Sequence, residues 1–177
     1  AQGIDLVKHR FICPHCYIRS FQKSYTDFNL KRVHTVCRLA ERLAGFQHLR
    51  VITNGLKTAN ILSEIDGVDV YCTGGRLREN AKSLVGTHAI DFVSRFNADL
   101  AFFSCRGVTP EIGITESTED EAALKIAYMR NAAKVVLMCD SSKLGKQYFC
   151  KVGTLDHIWK LVTDIQLPSS YESRLSD

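Results

Sequence analysis

A three-layer α/β fold with a mostly parallel sheet is predicted by three features of the chain. Short β-branched or apolar runs alternate with amphipathic stretches of helical period. The strand-like runs close on glycine, asparagine, serine or threonine. They also recur at intervals suited to parallel strands joined by helical crossovers. The chain has 177 residues, 45% hydrophobic and 24% charged, so it can bury a full core within one domain.

The first clear strand is Leu49–Thr53, closed by Asn54-Gly55, after which Leu56, Ala59, Ile61, Leu62 and Ile65 fall at helical spacing. Val68–Cys72 is the next strand and ends in Thr73-Gly74-Gly75. Residues 84–96 then carry an amphipathic helix, and 98–104, almost wholly apolar, a strand covered on both faces. Thr118 stands three residues before Glu121, the spacing of a capping box, and a helix runs from there to Ala132. Residues 134–138 form another buried strand, 148–152 an edge strand and 157–163 a final one.

Ligands on such sheets bind outside the carboxyl ends of the strands. Here those ends read Thr53-Asn54-Gly55, Thr73-Gly74-Gly75, Ser104-Cys105-Arg106-Gly107 and Asp140-Ser141-Ser142-Lys143, and they are expected side by side. The stretch from Cys139 to Gly145 is the most informative. A buried strand ending in two hydroxyls, a lysine and a glycine makes a cradle for an oxyanion, which points to phosphorylated sugars.

The net charge of +4 is mild and the basic residues are scattered, so composition does not argue for nucleic-acid binding. No apolar run is long enough to cross a bilayer and the first residues lack a signal pattern, so a cytoplasmic protein without a membrane partner is expected. Of seven cysteines, Cys37, Cys72, Cys105, Cys139 and Cys150 lie singly in apolar contexts and are expected as buried free thiols. Cys13-Pro14-His15-Cys16 has thiol-oxidoreductase spacing, and with His9 could supply zinc ligands. A redox role needs the motif at a helix start after a core strand, and a zinc site needs a second ligand pair, which the sequence lacks. A local turn with two free thiols is the plainer reading.

Taken in order, V-I-T-N at 51–54, T-G-G-R-L-R at 73–78, S-L-V-G at 83–86, F-N-A-D-L-A-F-F at 96–103, G-I-T at 113–115, E-A-A-L-K at 121–125, D-S-S-K-L-G at 140–145 and L-V-T-D at 161–164 form a set. That set resembles the effector-sensing domain of DeoR-type bacterial transcriptional regulators, over residues 35–164. The resemblance implies a Rossmann-like fold similar to ribose-5-phosphate isomerase and the coenzyme A transferases. It also implies a bound phosphorylated sugar or related metabolite, homo-oligomers, and a role in carbohydrate-linked repression through an N-terminal helix-turn-helix. No helix-turn-helix pattern precedes residue 35, so the chain is expected to be the sensor without its DNA-binding domain. Residues 1–34 form a poorly matched part of the same domain, and 165–177 a tail.

Two departures from the family bear on the site. Where a glycine-bearing phosphate loop is usual, this chain has Arg32-Val33-His34-Thr35 before a helix over 36–43; Thr35 is the counterpart, and Arg32 and His34 could rebuild the loop. Where the family commonly has an acid after the third strand, this chain has Arg106. A guanidinium removes a candidate general base and adds a forked anion donor, suggesting a ligand with a second negative group; pairing with Glu111, Glu116 or Glu119 is the alternative.

The expected ligand set is Thr35, Asn54, Gly74, Gly75, Arg76, Arg106, Ser141, Ser142 and Lys143, with no catalytic residue, metal or cofactor. Asn54 also suits capping of the next helix. Arg76, Arg78 and Lys82 form a basic patch facing the ligand mouth, a partner subunit or water. Glu121 and Lys125, four apart, read as a surface ion pair, and Trp159 as core or interface. A ribose-phosphate-isomerase-like enzyme is the second reading, which Arg106 disfavours, and a thiol-redox protein the third.

Overall fold

The computed structural model describes residues 10–12, 43, 46 and 48–176, the first three as backbone only. In chain order the elements begin with β1 (Arg10–Ile12), β2 (Leu49–Thr53), α1 (Leu56–Ser63), β3 (Val68–Cys72), β4 (Arg76–Arg78), β5 (Ser83–Val85) and α2 (Thr87–Val93). They continue with β6 (Ala98–Phe103), β7 (Gly107–Thr109), β8 (Gly113–Glu116), α3 (Glu119–Arg130) and β9 (Ala132–Met138). A 3-10 turn at Ser141–Lys143, β10 (Cys150–Gly153), a second turn at Leu155–His157, β11 (Lys160–Val162) and α4 (Ser169–Glu172) complete the described chain.

Six strands pair in parallel in the order β3-β2-β1-β6-β9-β11. The chain thus works outward from β1 to β3, then restarts on the other side of β1 with β6 and works outward to β11. The direction of winding reverses between β1 and β6, and the carboxyl edge at such a reversal is where an open α/β sheet leaves a crevice. Two small antiparallel units stand beside this sheet: the hairpin β4-β5, and a three-stranded sheet in the order β10-β8-β7.

Apolar residues at alternate positions send the sheet's two faces into separate cores. Leu49, Val51, Leu100, Phe102, Val136 and Met138 pack with Leu43 and with Leu62 of α1 on one face. Ile52 and Ala101 pack with Ala89 and Val93 of α2 and with Leu124, Ala127 and Tyr128 of α3 on the other. Phe103, Val135 and Leu137 extend the second face into Val108, Ile114 and Val152 of the antiparallel sheet and Tyr171 of α4. Helices therefore cover both faces, giving the predicted three-layer arrangement of a Rossmann-like α/β fold.

The sequence expectations hold for β2, β3 and β6 to within a residue, because each is a short, mostly apolar run bounded by turn residues, with one charged residue apiece in Arg50, Asp69 and Asp99. Residues 84–96 do not form one helix. Ser83–Val85 is the return strand of a hairpin, Gly86 sits at φ +95, and α2 begins only at Thr87. The residues expected as an edge strand at 148–152 and a final strand at 157–163 shorten to β10 and β11, with β10 in the antiparallel sheet. Thr118 is the N-cap of α3, yet its side chain makes no capping bond and Glu121 turns elsewhere, so no capping box forms. Cys105 and Cys139 are buried as expected, whereas Cys150 is half-buried and Cys72 is exposed; all four are free thiols. The helix expected at 36–43 lies outside the described residues apart from Leu43.

Candidate functional site

Because all six strands of the main sheet run parallel, the four predicted strand ends share one edge of the sheet. They form two pairs rather than one row. The ends of β6 and β9 are neighbours, as are those of β2 and β3, and β1 stands between the pairs. The sequence reading had no strand at Arg10–Ile12 and so placed all four side by side. β1 pairs with both β2 and β6, which means that Cys13 to Cys16 follow directly on a central strand. Cys13, Cys16, Arg32, His34 and Thr35 themselves lie outside the described residues.

The β6/β9 pair carries the strongest geometry. β9 ends at Met138, and the turn Ser141–Lys143 brings half-buried Lys143 back over the neighbouring strand, where its Nζ donates to Ser104 Oγ at 2.7 Å. Asp140 Oδ2 lies 3.8 Å from the same ammonium. An ammonium has three protons to donate, so it can bind Ser104 and still meet an anion at the crevice. Ser104 was not among the predicted site residues; its signal was its place at the end of β6.

The two serines behave differently from the expected cradle. The Ser141 N–H donates to Asp164 Oδ1 at 2.6 Å and its hydroxyl to Asp164 Oδ2 at 3.3 Å. Ser142 donates through its N–H to Asp140 Oδ1 at 3.0 Å and through its hydroxyl to the same oxygen. Both hydroxyls and both amides are thus engaged by carboxylates of the fold, and their work is to shape the turn that presents Lys143. Desolvation alone would raise the Asp164 carboxyl, but the bonds from Ser141 and Thr163 outweigh it and hold the group below its ordinary value. It is therefore a standing anionic cap for the turn.

Arg106 is exposed, and its backbone N–H donates to Thr115 O at 3.2 Å. Among the described residues its guanidinium forms no ion pair. Glu116, one of the partners considered for it, is bound to Lys125 instead. Arg106 stands two residues beyond Ser104, in the loop between β6 and β7.

The β2/β3 pair is built for enclosure. The Asn54 carbonyl accepts from the Leu84 N–H at 2.7 Å, and Asn54 Nδ2 donates to the Leu84 carbonyl at 2.9 Å. This buried side chain therefore fastens β5 onto the end of β2. It does not cap α1, whose N-cap is Gly55. Gly75 has φ +121, and a Cβ there would stand 2.5 Å from the Val85 carbonyl oxygen, so only glycine lets the hairpin fold back this tightly. A Cβ on Gly74 would meet nothing within 4 Å, leaving open space at that loop.

The hairpin's far side is held by charge. Arg76 pairs with Asp120, and Arg78 with Glu121. Lys125 pairs with Glu116 and lies 3.4 Å from Glu121 Oε2, while Ser83 Oγ donates to Glu121 Oε1 at 3.3 Å. The Glu116 and Lys125 side chains are only 4% and 11% exposed. The pair expected on the surface is therefore part of a buried network joining β4, β5, β8 and α3. Burial alone would raise Glu121, yet Lys125 and Arg78 together hold it below its ordinary value. The expected ligand arginine, Arg76, is turned to Asp120, so the patch with Arg78 faces α3.

The remaining candidates fall outside this site. The Cys139 thiol is pushed well up by its bond with Cys105 and by burial, which makes it inert. Trp159 packs partly buried against the first core, with the ammoniums of Lys134 and Lys160 each 4.2 Å from its ring. Among the described residues no group of three metal-ligating side chains occurs, and no helix is long and apolar enough to cross a membrane.

The fold is shared with known structures. The chain superposes on the eIF2B delta chain of Chaetomium thermophilum with a TM-score of 0.54 at 14% identity, covering 89% of this chain and 50% of that one. The eIF2B beta chain of the same organism gives 0.50 at 13% identity, covering 94% and 48%. Among curated proteins, the chain is 42% identical over 113 residues to the HTH-type transcriptional regulator GlpR of Haloferax volcanii, covering 64% of this chain and 44% of that protein. It is 32% identical to the HTH-type transcriptional regulator GolR of Listeria innocua, covering 81% and 56%. It is 28% identical to the glycerol-3-phosphate regulon repressor of Escherichia coli, covering 78% and 55%. The chain thus spans about half the length of these relatives. The family model described as the DeoR C terminal sensor domain matches residues 30–165, more than half of the chain, and the chain belongs to that family.

Proposed function

We propose that this chain is the effector-sensing part of a DeoR-type transcriptional repressor, noncatalytic, and that it binds a phosphorylated sugar or related metabolite. The site is the carboxyl edge of the sheet at the winding reversal. Lys143 is the principal phosphate contact and Arg106 the second cation. Gly74 and Gly75 form the opposite wall; Thr35, inside the family match but outside the described residues, is retained as a contact on the resemblance alone. Asn54, Ser141, Ser142 and Arg76 support these loops through their bonds to Leu84, Asp164, Asp140 and Asp120.

The observation that carries this reading is the Lys143 ammonium held 2.7 Å from Ser104 Oγ, over the strand end beside the reversal. The relatives' names support it, since one is a repressor of a glycerol-3-phosphate regulon and others are HTH-type regulators. The isomerase reading needs a carboxylate beside the sugar to take a proton. Near Lys143 the carboxylates are Asp140 and Asp164, and each already accepts the N–H and hydroxyl of a serine.

Effector binding acts by population shift. A metabolite that fits one arrangement of the loops better than another biases how sensor domains pair in a homo-oligomer, and so how the helix-turn-helix domains carried elsewhere in the regulator are spaced. Thermal melting of the chain against glycerol 3-phosphate, ribose 5-phosphate, hexose phosphates and their unphosphorylated parents tests the reading. One or a few phosphorylated members should raise the midpoint, because a ligand specific to the folded form stabilises it by mass action. A response confined to the unphosphorylated sugars discards it.

A further inference from the structure

The Lys143 turn is joined to the chain's last described residues by a side chain lying outside the matched family domain. After Lys143 the chain passes Leu144, which bridges to Val108 of β7, and reaches Gly145. The Gly145 N–H points at two acceptors, the Val108 carbonyl and the Tyr171 hydroxyl, each at 2.9 Å. The Tyr171 hydroxyl in turn donates to the Val108 carbonyl at 3.2 Å. One buried phenol thus closes a three-membered ring of hydrogen bonds between the loop bearing Lys143 and the strand that follows Arg106.

Tyr171 belongs to α4, within the stretch expected from the sequence to be a mere tail, and beyond residue 165 where the family match ends. Its ring is buried in the second-face core, and Leu175 packs partly buried against the same cluster. A phenol buried with its hydroxyl satisfied from two sides fixes orientation, whereas a Phe there would supply the apolar contact alone.

We propose that Tyr171 is a positioning residue of the effector site, setting the separation between Lys143 and Arg106, and that docking of the C-terminal segment and effector binding are thermodynamically linked. This rests on the functional reading above. If the segment holds the two cation-bearing loops in the binding arrangement, an effector must by reciprocity hold the segment down.

The test uses the full chain with glycerol 3-phosphate, ribose 5-phosphate and inorganic phosphate as probes, titrated well below the melting midpoint. Tyr171→Phe should weaken the best of these probes roughly 5-fold, the usual worth of one such hydrogen bond. Gly145 amide exchange should quicken in the variant, and the probe should slow exchange at Ser176, whose N–H donates to Ile158 O at 3.0 Å. Leu62→Ala is the control for stability alone: it trims the first-face core on α1, away from the C-terminal segment and the Tyr171 hydroxyl, so it should lower the midpoint and leave probe affinity unchanged. Equal affinity of Tyr171→Phe and wild type overturns the positioning role while leaving the site standing, and so does an equal loss in Leu62→Ala. If wild type binds none of the probes, the site reading falls and this inference falls with it.

Discussion

On the proposed reading Lys143 carries the site's chemistry in one ammonium, because the serines around it are occupied in shaping its turn. Charge-assisted hydrogen bonds contribute about 1.5–3 kcal/mol each. Lys143→Ala should therefore weaken a phosphorylated effector about 10- to 100-fold by calorimetric titration. Since Lys143 is half-buried at a loop, the fold should tolerate the change. Arg106→Ser removes the second cation: it should weaken ligands with two anionic groups more strongly than monophosphates. Uniform weakening of both classes would mean that Arg106 does not choose among them. The place of Lys143 beyond the end of a buried strand was legible in the sequence because D-S-S-K-L-G ends an apolar run. The engagement of its serines was not, since Asp164 lies 23 residues away from Ser141 and only the fold brings them together.

At the scale of elements, the hairpin β4-β5 is a strap pinned at both sides, to Asn54 by backbone and amide bonds and to α3 by its arginines. Lys125→Ala leaves Glu116 buried without its partner, and breaking a buried pair in this way costs about 3–5 kcal/mol. The melting midpoint should fall by roughly 6–20 °C for a domain of this size; a smaller change would mean that water already solvates the pair. Glu121 gives the network a pH signature. Its folded pKa is depressed below the unfolded value of about 4.3, so its contribution is in place above that value and is lost as pH falls through the folded pKa. Acid unfolding should steepen below about pH 4.3, and Glu121→Gln should flatten that limb. Of this network only the Glu121–Lys125 pair was visible in the chain, and there as a surface pair. The hairpin strands are only three residues long, too short for alternation to declare itself, and Leu84 and Val85 continue a helical pattern that Gly86 interrupts. Glu121 and Lys125 do sit four apart, but the partners that bury them, Arg78 and Glu116, come from separate strands.

For the whole molecule, layer order and parallel pairing were readable from the alternation of apolar runs and helical stripes, because each strand buried on both faces writes a continuous apolar signature. The order of the strands was less so. It turns on β1, three residues in a segment whose sequence matches the family poorly, yet which separates the two pairs of loops and sets the reversal between itself and β6. On the proposed reading the site would lie between a cationic side at β6/β9 and a glycine-rich, strapped side at β2/β3. A ligand bridging these walls would change their separation, which gives effector occupancy a mechanical route to the pairing of subunits. In sedimentation analysis, effector should shift the distribution of oligomers for wild type and not for Lys143→Ala.

Calorimetric titration of a phosphorylated and an unphosphorylated polyol of the same skeleton into wild type and Lys143→Ala is the most direct test that the β6/β9 strand ends grip a phosphoryl group. Binding of the phosphorylated compound alone, reduced at least tenfold in the variant, is the predicted result. Equal binding of both compounds, or an affinity indifferent to Lys143, contradicts it.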